Sequence, residues 1–200
     1  MPQKLSPHQA RLWFIDQFER GHVYPHPPNY HNLPLVITGS GSLTIDEARR
    51  ALETSVQRHA ALRIRLVDDP IEPRQIIATD LTVPWHEKHI PAGAKDSEVQ
   101  QHLIESNLVS FQLDNQPLLR SEFVRLEEEA DSGRYWWLIT LHHLIADRRS
   151  LNLLADELTT TLRQEDLPDF ELQYPDYVNW QLGLPEDVLE PLFMYWKWQL

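Results

Sequence analysis

Apolar residues recur along this chain with two periods, and these periods predict its elements. Helical spacing holds at Leu12, Phe14, Ile15 and Phe18, after a Ser6-Pro7 start that suits an N-cap followed by proline at the first helical position. It returns at Ala48, Leu52 and Val56, where Thr44 and Glu47 have capping-box spacing, and in the stretch from Ser97 to Leu108. A third stripe runs through Leu151, Leu154, Leu158 and Leu162, and helical patterns close the chain at 174–182 and 186–200. Trp180, Trp196 and Trp198 are expected to pack against the body. Strands are predicted at 33–38, at 62–67 with Leu62, Ile64 and Leu66 on one face and Arg63 and Arg65 on the other, at 75–78, at 82–86 and at 117–126. Turns are predicted at Asp68-Asp69-Pro70 and in the acidic stretch 127–133.

The most apolar run, Tyr135 to Leu141, reads as a buried strand. Its end carries His142 and His143, and Asp147 follows four residues after the second histidine. Imidazole takes or holds a proton near neutral pH without a cofactor, and a strand end is a rigid mount for it. After Asp147 a helix fits, with Asp147 or Ser150 as its cap. Mixed strands and helices indicate an α/β (α+β) fold around a central sheet, of a size for one domain or one lobe of a larger one.

Composition narrows the functions. The chain has 200 residues, 42% hydrophobic, and a formal net charge of -12. That balance argues against nucleic acid or an anionic membrane as the main partner. No cysteine is present, which excludes disulfides, thiolate metal sites and a cysteine nucleophile. The six glycines form no phosphate-cradling loop. No apolar stretch reaches membrane-spanning length and the first residues begin no signal peptide, so the cytoplasm is the default location. His86 and His89 lack the spacing of a helical zinc motif, and His22, His26 and His31 lie in or beside a proline-rich loop, so no metal site is assigned.

Seven stretches in order resemble the condensation domain of nonribosomal peptide synthetases. They are Leu5 to Phe14, Tyr30 to Pro34, Arg58 to Leu66, Pro117 to Arg120, Leu141 to Asp147, Tyr174 to Trp180 and Tyr195 to Leu200. The fifth contains two histidines, three variable residues and an aspartate, the family's active-site pattern. The resemblance implies a chloramphenicol acetyltransferase-like fold of two lobes, with a tunnel between them. Residues 1–200 would be the N-terminal lobe, and the motifs of a C-terminal lobe are absent from the sequence. It implies amide formation between aminoacyl or peptidyl thioesters carried on the phosphopantetheine arms of carrier proteins, with no cofactor bound directly. The implied partners are those carrier proteins, a C-terminal lobe and neighbouring synthetase domains.

By the same resemblance, His143 is the catalytic residue, either accepting a proton from the attacking amine or positioning the amine and stabilising charge. His142, Asp147 and Arg63 are its supports. Asp147 is expected to turn inward onto Arg63, with a plain helix cap as the other use of the carboxylate and solvent exposure as the other reading of Arg63. Arg148 stands where the family has glycine, so Arg148 and Ser150 are candidate tunnel residues. Arg148 narrows the channel, holds an acidic group or turns to solvent. A lone lobe is expected to make little product, because both substrates must be held at once. The chain stops inside a helical pattern with no C-cap residue, an end that reads as a cut or as a boundary before further protein.

His143 and Asp147 also fit the spacing of coenzyme A acyltransferases, and His142 and Asp147 that of glycerolipid acyltransferases. The matches at both ends of the chain count against both. A non-catalytic lobe serving as a carrier-protein or domain-binding platform is the alternative.

Overall fold

The computed structural model describes residues 2–67, 73–127 and 133–199. The turn expected at 68–70 and most of the acidic stretch expected at 127–133 lie outside the described residues. Among the described residues, two sheets and six helices are built from β1 (Gln3–Lys4), α1 (Pro7–Glu19), β2 (Asn32–Ser40), α2 (Ile45–Arg58), β3 (Ile64–Val67), β4 (Arg74–Ile77), β5 (Trp85–Ile90), α3 (Asp96–Leu108), β6 (Leu119–Leu126), β7 (Arg134–His142), α4 (Arg148–Leu162), α5 (Tyr174–Leu182) and α6 (Glu186–Gln199). A 3-10 turn, Ala60–Arg63, links α2 to β3. The larger sheet has strand order β2-β7-β6-β5 and the smaller β1-β4-β3. These pairings are antiparallel except β5 with β6, which α3 connects as a crossover.

The apolar run of β7 occupies an interior position between β2 and β6, and each of its faces has its own cover. Trp137, Ile139 and Leu141 point to the main core, where Ala48, Leu52 and Val56 of α2 and Leu154 and Leu158 of α4 pack. Leu138 points to the other face, against Val99 and Leu103 of α3. The Trp137 Nε1–H donates to Ser121 Oγ at 2.8 Å, so this fully buried indole keeps its polar atom paired. Gly39 faces Tyr135 across the β2–β7 ladder, and a side chain there would run into the tyrosine ring.

The predicted N-cap at Ser6 and the predicted capping box at Thr44 both form. Ser6 caps α1 with Gln9 completing the box, and Thr44 caps α2 with Glu47. Three expectations are corrected. The strand predicted at 82–86 runs instead over Trp85–Ile90, where its polar residues His86, Glu87, Lys88 and His89 are exposed on an edge. Arg63 does not sit on a strand; it ends the 3-10 turn, and β3 begins after it. Trp180, Trp196 and Trp198 do not pack against the body, being 61%, 61% and 81% exposed. Helical spacing tells which residues share a face, not whether anything covers that face. None of the described residues in α6 is buried, so Phe193, Trp196 and Trp198 form part of an uncovered apolar surface.

Candidate active site

The end of β7 is pinned from both sides. The His142 amide donates to the Leu118 carbonyl at 2.9 Å, and the His143 amide donates to the His31 carbonyl at 2.8 Å. Beyond them the chain turns sharply, with the Ile145 amide on the His142 carbonyl at 3.0 Å. The two histidines then have opposite environments.

His142 is buried on the sheet face that α3 partly covers. Its ring lies 5.4 Å from that of His31 and 5.9 Å, edge-on, from that of Phe111. Its Nδ1 accepts the Leu144 amide at 3.1 Å. Burial, followed by the charges of His31 and His143, pushes its pKa down to about 3, so it is neutral at pH 7. His31 is displaced in the same direction, by burial first and the His143 charge second.

His143 is half-buried, and its ring meets that of His8 edge-on at 5.9 Å. Its Nδ1 lies 3.0 Å from the Ala146 carbonyl. A carbonyl only accepts, so the neutral ring carries its proton on Nδ1 and leaves the Nε2 lone pair available. This is the tautomer a proton acceptor at Nε2 requires.

Asp147 is exposed and does not turn inward onto Arg63. Its Oδ1 accepts the Ser150 amide at 2.8 Å and the Ser150 hydroxyl at 2.7 Å, which makes it the N-cap of α4. These two bonds, hydroxyl first, hold its carboxyl below the usual range, and the nearby His143 charge adds to them. Arg63 is satisfied elsewhere: Nε donates to the Val56 carbonyl at 3.1 Å and Nη1 to the Ala78 carbonyl at 2.8 Å. The reason is local. A carboxylate at the start of a helix finds an amide three residues on, and an arginine at the end of a 3-10 turn finds the carbonyls beside it. Arg148 and Arg149 are exposed in the first turn of α4.

Sequence reasoning does not place His8, His31, Phe111 or Gln9 at this site. His8, Gln9 and His31 fall within motif matches, but the proline-rich surroundings of His31 read as a surface loop, and His8, Gln9 and Phe111 carry no periodic signal. Ser150 also lines a small cavity of about 100 Å³ with His59, Leu141, Ile145 and Leu154. Among the described residues, no cluster of three or more histidine, aspartate or glutamate side chains is placed to hold a metal ion, and no helix is long and apolar enough to cross a membrane.

Known proteins are similar to this chain over nearly its whole length. The family model described as the condensation domain matches residues 2–200. A linear gramicidin synthase of Brevibacillus parabrevis is 37% identical over 96% of this chain, and phosphinothricin tripeptide synthetase PhsC of Streptomyces viridochromogenes 34% identical over 98%. The chain spans only 4% and 18% of those two proteins. The condensation domain that mediates chain release from the enacyloxin polyketide synthase superposes with a TM-score of 0.76 at 25% identity, covering 96% of this chain and 37% of that one. A four-domain nonribosomal peptide synthetase bound to AMP and glycine has the same fold, with a TM-score of 0.76 at 17% identity over 98% of this chain and 14% of that one. These neighbours bear out the expected chloramphenicol acetyltransferase-like fold, and the family match extends from the first described residue to the last: the chain belongs to the condensation-domain family.

Proposed function

We propose that residues 1–200 are the site-bearing lobe of a condensation domain that joins carrier-bound substrates through an amide bond. The observation that carries this reading is the His143 ring, held by Ala146 with its Nε2 lone pair available and its face half open. The acceptor amine attacks the carbonyl carbon of the donor thioester. A C–N bond forms, the C–S bond breaks, and the amine's proton ends on the departing thiolate. His143 Nε2 takes that proton or holds the amine through it, which stabilises the charged tetrahedral intermediate. Asp147 secures the far end of the loop by capping α4. Carrier proteins bring both substrates on phosphopantetheine arms.

A second lobe completes the tunnel and covers apolar surface such as that of α6. The chain is tested with and without a separately supplied C-terminal condensation lobe, on one carrier protein loaded with an aminoacyl thioester donor and one with an aminoacyl acceptor. Amide product, followed by mass spectrometry, is expected only with both lobes, and His143→Ala is expected to lower its rate by about 10²–10⁴-fold. Product formation indifferent to His143→Ala overturns the reading. The uncovered aromatic surface of α6 favours a second reading, a platform that binds carrier proteins or domains without catalysis. Carrier binding without any product that depends on His143 supports it.

A further inference from the structure

We propose that Gln9 is a positioning residue for His143: its buried amide, carried by α1, donates to the Leu144 carbonyl and fixes the turn in which Ala146 orients the imidazole. The proposal rests on the reading of His143 given above. Gln9 is fully buried and lies 135 residues away from Leu144 in sequence. Its Nε2 donates to the Leu144 carbonyl at 3.4 Å and to Gln75 Oε1 at 3.0 Å. Its Oε1 accepts the Ser6 amide at 2.9 Å. Gln75 is buried too, and donates onward to the Lys4 carbonyl at 2.9 Å. Ser6 Oγ meets the Tyr174 hydroxyl at 2.9 Å. One buried polar network thus ties α1, β1, β4 and α5 to the loop after β7.

Both main-chain polar groups of Leu144 are held by side chains: the amide by His142 Nδ1, the carbonyl by Gln9. Two residues later, Ala146 presents the carbonyl that accepts the hydrogen bond from His143 Nδ1–H. Freeing Leu144 frees the peptide planes between these two points. An amide side chain suits the place, because it donates twice and accepts once with no charge to bury. Leucine or methionine there would strand the Leu144 carbonyl, and glutamate would bury a carboxylate. The neighbouring His8 reinforces the arrangement, since its ring meets that of His143. The first turn of α1 therefore reaches the site through two consecutive residues.

Nitrogen-15 NMR of the His143 ring tests this. In the wild-type chain Nδ1 is expected to be protonated and Nε2 bare. In Gln9→Met, and in Gln9→Met/Gln75→Met, which removes both buried amides, the two nitrogens are expected to move towards a common averaged value. With the second lobe supplied, kcat is expected to fall about 100-fold with KM nearly unchanged. A folded variant whose His143 ring keeps the wild-type signature overturns the proposal. If neither variant folds, hydrogen exchange in the wild-type chain decides: Gln9 side-chain protons protected like neighbouring main-chain amides support the anchor, and free exchange overturns it. An inactive chain whose His143 tautomer still depends on Gln9 would remove the functional reading and leave this one standing. An active enzyme indifferent to Gln9 does the reverse.

Discussion

The Nδ1 of His143 lies 3.0 Å from the carbonyl oxygen of Ala146, and His142, one residue earlier, turns its own Nδ1 to the Leu144 amide. A carbonyl needs a donor and an amide needs an acceptor, so adjacent histidines are locked in opposite tautomers. Opposite consequences of substitution follow. His143→Ala is expected to remove amide-forming activity by about 10²–10⁴-fold with little change in stability, because the ring is half-exposed. His142→Ala is expected to cost about 2–4 kcal/mol in denaturant unfolding, because a buried ring is lost from a packed face.

Acid is expected to destabilise the chain before its carboxylates titrate. His142 has a pKa of about 3 in the folded chain, against an ordinary value of 6.5. Above pH 6.5 neither state binds the proton; between 6.5 and about 3 the unfolded chain binds it and the folded one does not. Stability from this group is therefore present at neutral pH and lost as pH falls through that window, by up to about 1.4 kcal/mol per pH unit. His31, displaced the same way, adds to the effect. Asp147 does not contribute here, because its depressed pKa places its loss below its ordinary 3.8. Urea unfolding at about pH 7 and about pH 5 measures the slope, and His142→Phe should flatten it.

Asp147→Ala is expected to cost about 1 kcal/mol through the lost cap of α4, and Asp147→Asn to recover most of it. A double-mutant cycle between Arg63→Ala and Asp147→Ala should show coupling below about 0.5 kcal/mol, since the two side chains have separate partners. A coupling of several times that size would restore the direct pair expected from the sequence.

Glu157 is buried in α4 and meets two side chains from the end of α2: Arg58 Nε at 3.3 Å and His59 Nε2 at 2.7 Å. Phe170 stacks on His59 and lies under Arg58, which shields the cluster. Glu157→Ala is expected to cost about 3 kcal/mol, as breaking a buried pair strands its partners. Thermal unfolding measures it, and a loss within about 0.5 kcal/mol would mean the cluster is solvated like a surface pair.

The strand bearing the histidines is legible in the sequence because aromatic and β-branched residues from Tyr135 to Thr140 outweigh any helical reading, and the structure extends it by one residue at each end. The caps at Ser6, Thr44 and Asp147 are legible because a cap is a short-range pattern of side-chain oxygen and nearby amide. Strand β5 is misplaced by sequence because its pairing partner, not its composition, makes His86 to His89 extended. The partners of Arg63 escape the sequence because periodicity assigns the arginine to a strand rather than to the turn that surrounds it with carbonyls. Gln9 escapes too: a glutamine in a helix reads as surface, and only tertiary contact with Leu144 makes it interior.

The β2–β7 ladder, finally, bears on how the molecule assembles. Asn32 pairs with His142 and Ser40 with Arg134, so the sheet closes only when segments roughly a hundred residues apart meet, which places the loop-closure entropy ahead of the reward. Helices α2 and α3 draw on local contacts and can form early; the imidazole loop is held at His31 and Leu118 and is seated only once that distant closure is made. A chain that has not yet closed this sheet therefore has no seat for the loop that carries His143.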